Sequence, residues 1–407
     1  MLNQTEKDFI KKHLNEDVRK LALQIQSKNY PEITAALVLN QIRARQKSKE
    51  KIPSWAQNEN IIYSPALSLE QSSSEITAKY KAQLLSGNRF VDLTGGFGVD
   101  TAFIAEKFKE AIYVERQKEL VDLASWNFKV LNLQSIQTKC MDAIEYLEQL
   151  SSADCIFLDP SRRSESGKKV VFLQDCEPNL LDIQEQLLNK ADKILVKLSP
   201  MLDIQAALKV LKNVAEIHII SLDNDCKELL FLQTKSFSGT TQIVCVNFSK
   251  REFQSDIFFY SSEKETLISY ASKIQKYLYE PNASILKAGF YKSVASKYQV
   301  EKLQVNSHLY TSDFLRNNFS GRVFEVISVS SLNKKELKNF MSDIHEANLS
   351  VRNFPLSVND LRKKLKLKEG GDLYLFATTL FDGQKVLIKT RQIFEKYTET
   401  TDFSFID

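Results

Sequence analysis

A chain of 407 residues with 43% hydrophobic and 26% charged side chains has the make-up of folded domains, two to four of them at ~100–200 residues each, which excludes wholesale disorder. No run approaches the roughly 20 apolar residues of a membrane helix, and Met1–Asp8 has neither a basic nor an apolar leader region, so a cytoplasmic chain that does not enter the membrane is expected. Five cysteines (Cys140, Cys155, Cys176, Cys226, Cys245) without a CxxC pair, four scattered histidines and a net charge of +4 argue against a disulfide scaffold and a local zinc site, and do not by themselves call for nucleic acid.

Thr5 is placed to cap a helix carrying Phe9, Ile10, Leu14, Val18, Leu21 and Ile25 at helical spacing, and Pro31-Glu32 opens a second helix that reaches Arg43. Pro53 closes this region, so residues 1–60 read as a helical module. Ser72-Ser73-Ser74-Glu75 offers a capping box for a helix through Tyr80 and Leu84. From Phe90 the pattern changes to short β-rich runs: Arg89–Leu93, Ala111–Val114, Ser135–Lys139, Cys155–Leu158, Ile194–Lys197, Glu216–Ser221, Glu228–Gln233 and Gln242–Asn247. Helical stretches (Asp100–Lys107, Glu119–Leu131, Leu180–Leu188) fall between several of them, which predicts an α/β fold with an open, mostly parallel sheet. Cys226-Lys227-Glu228 is expected to mark a hairpin. Beyond a helical stretch near Glu263–Tyr277, a second α/β unit is expected. It comprises a helix over Asn282–Lys297, extended chain over Lys302–Leu309, a strand over Arg322–Val329, a helix over Asn333–Ala347, Leu349–Arg352 extended, a Ser357-capped helix, and strands over Leu373–Thr379 and Lys385–Lys389.

Three of the 11 glycines fall within four residues, in Asp92-Leu93-Thr94-Gly95-Gly96-Phe97-Gly98-Val99-Asp100, where the first strand turns into a helix. Glycine there lets backbone approach a ligand closely. A dinucleotide fingerprint starting at Gly96 needs glycine where Thr101 stands, and the match fails. Asp92 at the strand end suits a cationic group better than a pyrophosphate. Glu115 ends the next strand, 23 residues on, and can accept from both hydroxyls of a ribose; Asp142 follows the third strand, where it can read an adenine amino group. In that order, at the carboxyl ends of successive strands, these acids describe a site for S-adenosyl-L-methionine, with Asp92, Thr94, Gly95, Gly96, Gly98, Glu115 and Asp142 as its residues. The fourth strand ends in Asp159-Pro160-Ser161-Arg162-Arg163. Asp159, Pro160, Ser161 and Arg162 stand where many amine methyltransferases carry an acid, two prolines and an aromatic ring. Serine and arginine replace the last two here, and an arginine can stack on a base or clamp a phosphate. Lys197-Leu198-Ser199-Pro200 is a second element at the crevice edge, suited to meeting substrate or to ending a strand.

Charge is unevenly spread: residues 1–60 carry +4, 61–277 carry −4, 278–320 and 321–407 carry +2 each. Basic flanks around a mildly acidic centre suit a polyanionic substrate. The runs Arg43–Lys49 and Arg362–Lys368 equally suit solvated helix faces.

Together, Asp92–Asp100, Glu115, Asp142 and Asp159–Arg163 resemble the class I S-adenosylmethionine-dependent methyltransferases, trimethylguanosine-synthase-like enzymes being among the nearer relatives. Glu280-Pro281-Asn282, Leu286–Gly289 and Ser307–Ser312 look like the ferredoxin-like domain of a bacterial RNA methyltransferase family. Arg352–Pro355, Leu361–Lys364 and Gly370-Gly371-Asp372 look like its C-terminal THUMP-like domain. The resemblance spans nearly the whole chain. It implies a Rossmann-like methyltransferase domain with a mostly parallel seven-stranded sheet over 61–277, a ferredoxin-like domain over 278–320 and a THUMP-like domain over 321–407. It also implies S-adenosyl-L-methionine as cofactor, no metal, and an RNA substrate, tRNA or rRNA. The competing expectations are an RNA-binding protein with a non-catalytic cofactor pocket, and a methyltransferase acting on DNA or a small molecule.

Overall fold

The computed structural model describes residues 2–28, 32–63, 66–162, 173–249 and 253–394. The described residues fall into two compact units: one within Met1–Val214 together with Phe231–Ser238, the other Ala215–Leu230 together with Gly239–Phe394.

The first unit opens with helices Gln4–Lys12, Val18–Lys28 and Ala35–Lys51 around Ile10, Leu21, Val38 and Ile42. The apolar stripe from Phe9 to Ile25 is thus two helices, not one. Asp17 takes the Arg19 and Lys20 amides and starts the second. The first is capped by Asn3 in a reciprocal box with Glu6, rather than by Thr5. Pro31 lies outside the described residues. Pro53 begins a short helix, Pro53–Ala56, where the sequence predicts only an end. In Glu75–Leu84 the capping residue is Ser74 rather than Ser72, and Glu75 instead accepts from the amide and hydroxyl of Ser54.

Five parallel strands follow: β1 (Arg89–Asp92), β2 (Glu110–Glu115), β3 (Ile136–Cys140), β4 (Ala153–Leu158) and β5 (Ala191–Leu198). Pairing runs β1 to β2 and β4, β2 to β3, and β4 to β5. Phe90 and Val91, Ile112 to Val114, and Ile156 to Leu158 are all buried, the near-continuous apolar pattern of strands covered on both faces. β6 (Val214–Leu222), β7 (Asp225–Thr234), β8 (Gln242–Phe248) and β9 (Phe253–Phe259) follow, and β8 pairs parallel with β6 and antiparallel with β9. All eight expected strand runs are present; β9 is an addition. The β6–β7 turn is Asp223-Asn224, both at positive φ, so Cys226 lies in the strand and not in the turn.

In the second unit a seven-stranded sheet is built from β10 (Tyr277–Pro281), β11 (Glu301–Lys302), β12 (Tyr310–Ser312), β13 (Gly321–Ser331), β14 (Asn348–Arg352), β15 (Leu373–Thr379) and β16 (Lys385–Ile393). Its order is β11-β12-β10-β13-β16-β15-β14, and Leu278, Phe324, Phe376 and Ile388 share its core. Several expected helices are shorter. The Glu263–Tyr277 stretch holds only Ser262–Glu265. Asn282–Lys297 is divided into Ala283–Ala288 and Tyr291–Tyr298 by Gly289 in the left-handed conformation, and Asn333–Ala347 holds Lys334–Phe340. Within Lys302–Leu309 the strand pairing is confined to Lys302. Helix Val358–Leu365 is capped by Ser357 as expected.

Candidate active site

The carboxyl ends of β1, β2, β4 and β5 open onto one cavity of about 840 Å³ in the first unit. All seven residues expected to hold a cofactor line it: Asp92, Thr94, Gly95, Gly96, Gly98, Glu115 and Asp142. The bend between β1 and helix Val99–Ala105 is fixed from inside. Gly95 N–H donates to the Val114 carbonyl (2.9 Å) and Gly98 N–H to the Gly95 carbonyl (2.8 Å). A Cβ on Gly95 would run into the Tyr113 ring, and the Tyr113 hydroxyl donates to the Gly96 carbonyl (2.6 Å). Gly98 caps the helix at φ +85°, against Phe128. The bend is therefore moulded to β2 by the missing side chain of Gly95 and to Phe128 by that of Gly98.

Asp92 is buried (1% exposed) at the bottom of the cavity, accepting from the Thr94 amide (2.9 Å) and the Thr101 hydroxyl (2.5 Å). Burial pushes its carboxyl up to about 7, against the opposing pull of those two donors, and the nearby Asp100 and Asp159 charges add to the rise. Glu115 accepts from Gly96 N–H (3.1 Å) and Gln117 N–H (2.8 Å), one amide on each oxygen. Asp142 caps helix Ala143–Gln149 through the Ile144 amide (2.8 Å).

Across the cavity, Asp159 follows β4. Its amide donates to the Thr94 hydroxyl (2.6 Å) and its carboxylate takes Lys197 Nζ at 2.5 Å. Pro160 is buried and Ser161 exposed; Ser161 and Arg162 form a two-residue ladder with Cys176–Glu177. The Arg162 side chain and all of Arg163 lie outside what is described. Ser161 and Glu177 join the cavity wall, and Arg116 pairs with Glu177 at 2.6 Å.

Ser73 and Asp100 also line the wall, with Lys81 behind them. Asp100, in the first turn of helix Val99–Ala105, accepts from the Ser73 hydroxyl (2.7 Å) and lies 3.1 Å from Lys81 Nζ. Lys81 is fully buried and also donates to Ser73 (3.0 Å). Burial opposes ionisation of Asp100, but Lys81 and then Lys197 outweigh it and hold the carboxyl below its ordinary value.

A solved structure described as a "putative methyltransferase from Porphyromonas gingivalis W83" is 33% identical to this chain, covers 96% of it and 98% of its own length, and superposes with a TM-score of 0.86. The chain belongs to this methyltransferase family. Within the methyltransferase, a ferredoxin-like domain model matches residues 277–319 and a THUMP domain-like model residues 321–392. More distant structures include an rRNA methylase from Streptococcus thermophilus (16% identity, 39% of this chain and 94% of that one, TM-score 0.29). Another is a SAM-dependent methyltransferase from Agrobacterium tumefaciens (18% identity, 40% of this chain and 61% of that one, TM-score 0.31). No curated protein matches.

Sequence reading of the methyltransferase passes over Ser73, Lys81 and Asp100. A signal for Lys81 does exist: helix Glu75–Leu84 buries Thr77, Ala78, Lys81 and Ala82, so the lysine stands on the inward stripe of its helix. A lysine at such a position is buried only when paired.

Proposed function

We propose that this methyltransferase uses S-adenosyl-L-methionine and methylates an RNA base, in a tRNA or an rRNA. The supporting observation is the convergence of Asp92, Glu115, Asp142 and Asp159 on one cavity around a glycine bend. The donor set fits such a ligand. Each Glu115 oxygen takes one amide and keeps acceptor capacity for ribose hydroxyls. Asp92 has hydroxyl and amide partners and would meet an ammonium, and Asp142 would meet the adenine amino group. Thr94, Gly95, Gly96 and Gly98 keep the backbone low beneath it. When bound, S-adenosyl-L-methionine supplies a methyl group on a sulfonium, already a good leaving group. The task left to the chain is alignment, which can supply roughly 7–11 kcal/mol. Asp159, Pro160, Ser161 and Arg162 are assigned to the acceptor, Asp159 orienting it by hydrogen bonding.

The RNA reading is supported by the THUMP domain-like match and the basic flanks. The corresponding division is a helical module over 1–60, a methyltransferase domain over 61–277, a ferredoxin-like domain over 278–320 and a THUMP-like domain over 321–407, in a cytoplasmic enzyme. Among the described residues no helix is long and apolar enough to cross a membrane, and no His, Cys, Asp and Glu group is arranged to hold a metal.

The test is incubation with cofactor labelled in the methyl group and RNA from cells lacking the gene. Label is expected in RNA. Asp159→Ala is expected to abolish incorporation while the affinity for S-adenosylhomocysteine stays within about threefold. Label confined to DNA or to small molecules would replace the substrate class. Cofactor and RNA binding with no transfer would make the chain an RNA-binding protein.

A further inference from the structure

In the second unit, Glu280 on β10 stands opposite Arg322 on β13, and its side chain is buried. Its Oε2 takes the Arg322 Nε (2.9 Å) and Nη2. Its Oε1 takes the Arg352 Nε (3.1 Å) and Nη2 (2.9 Å), although Arg352 ends β14, the last strand in the sheet order. The sheet therefore curls until its outer strands approach each other, and just beyond them Asn353 donates to Gln304 (2.8 Å). The Phe324 and Tyr374 rings lie against the Arg322 guanidinium, with their centres 5.5 and 5.6 Å from its central carbon.

A buried carboxylate needs one cationic partner, and this one has two, which leaves a surplus of one positive charge. The surroundings add to it. Burial, against Glu263 and with Lys292, lowers Lys302 only to about 8, so that lysine is mostly charged at neutral pH. The His308 ring is pushed down to about 4 by burial and then by Lys302 and Arg352. The Arg322 and Arg352 side chains are 35% and 38% exposed. Among the described residues neither has a hydrogen-bond or ion-pair partner other than Glu280, and no nitrogen of either is buried without a partner. A guanidinium has five N–H donors, and each of these directs two nitrogens at Glu280, so both keep donors facing solvent. One carboxylate bridges the two forks from inside. A phosphodiester, with one charge and two non-bridging oxygens, fits them from outside. Residues 278–320 and 321–407 carry +2 each, which favours a polyanion over a lone carboxylate.

Resting on the RNA-methyltransferase reading above, we infer that Arg322 and Arg352, held side by side on Glu280, grip one phosphodiester of the substrate RNA. Glu280 is a positioning residue that fixes the two forks relative to each other. The contact is to backbone, so it anchors the RNA without reading its sequence.

The test measures binding of RNA from cells lacking the gene, across a salt series, to the full chain as wild type, Arg352→Gln and Arg352→Lys. Both variants leave Glu280 paired with Arg322, so melting temperatures near that of wild type are expected. Arg352→Gln removes the surplus charge. It is expected to weaken binding about tenfold and to flatten the dependence of log affinity on log salt by about one unit. Arg352→Lys keeps the charge, and with it the slope, but recovers only part of the affinity, because an ammonium has no planar fork. Methyl transfer by Arg352→Gln falls at subsaturating RNA and returns towards wild type at saturation, with S-adenosylhomocysteine affinity within about threefold. Unchanged RNA affinity and slope in Arg352→Gln overturn the inference and leave the RNA reading standing. A melting temperature that falls together with RNA affinity in both variants makes the cluster a structural clasp and overturns it too. So does an Arg352→Gln protein that binds RNA normally but loses thermal stabilisation by inorganic phosphate, which moves the site to a free phosphate. A wild-type protein that labels DNA or small molecules but no RNA removes the RNA reading itself, and the inference with it.

Discussion

Asp92 shows how much chemistry one buried acid can carry. Its carboxyl titrates at about 7 when folded, against an ordinary value near 4 in the unfolded chain. Between those values the folded state holds a proton that the unfolded state has released, so this group's contribution to stability falls as pH rises from about 4 to 7. A cationic ligand group has the opposite preference, because it favours the ionised carboxylate. Calorimetric affinity for S-adenosylhomocysteine is therefore expected to strengthen from pH 6 to pH 8, by about tenfold if Asp92 alone is responsible. Asp92→Asn should flatten that slope; an equal slope in the variant would assign it to another group. Asp92, Glu115 and Asp159 are legible in the sequence because each ends or follows a short apolar run whose end is easily found, and Asp142 because it follows the third strand in the same order, although that strand, Ile136–Cys140, is largely polar. Lys81 and Asp100 are not. Their meaning depends on a helix–helix juxtaposition that brings residues 19 apart in the chain to 3.1 Å.

At the scale of elements, the strands were easier to read than the helices. Fully buried strands such as β4 declare themselves as apolar runs, whereas helix ends hang on single residues. The stripe through Phe9 and Ile25 keeps its phase across a break started by Asp17, and Gly289 divides a second stripe in the same way. The glycine bend was found, but the reason for Gly95 was not: the residue it makes room for, Tyr113, comes from another strand. Nor did the sequence reveal that Phe97, inside the bend, packs against Trp55 (5.4 Å between ring centres) and Tyr63 (6.0 Å). Helix Pro53–Ala56 thus braces the bend from the N-terminal side. Gly95→Ala forces a methyl group into the Tyr113 ring and is expected to cost about 1–3 kcal/mol in denaturant unfolding, with weaker cofactor binding. A variant as stable as wild type would mean that the ring can yield.

For the whole molecule, the charge distribution is the feature that reaches beyond the cavity. Lys363, Lys364 and Lys368 are exposed on and just after helix Val358–Leu365, while Leu361 turns inward and Arg362 pairs with Glu369. Exposure is what both a solvated face and an RNA-binding face require, so a measurement must separate them. Reversing Lys363, Lys364 and Lys368 to glutamate is expected to weaken RNA binding by tenfold or more at physiological salt. Its salt dependence should flatten by about one unit for each phosphate that is no longer neutralised. Affinity for S-adenosylhomocysteine should not change. Unaltered RNA binding would return the helix to the solvent-facing reading.

The proposed function requires the cavity at the carboxyl ends of β1 and β2 to hold an adenosine bearing a cationic amino-acid tail, gripped at the ribose by Glu115. Calorimetric titration of S-adenosylhomocysteine into the full chain and into Glu115→Ala tests it directly. One site is expected in the wild type, and affinity lower by a factor of ten or more, about 1.4 kcal/mol, in the variant. No binding to the wild type, or equal affinity in the two proteins, would contradict it.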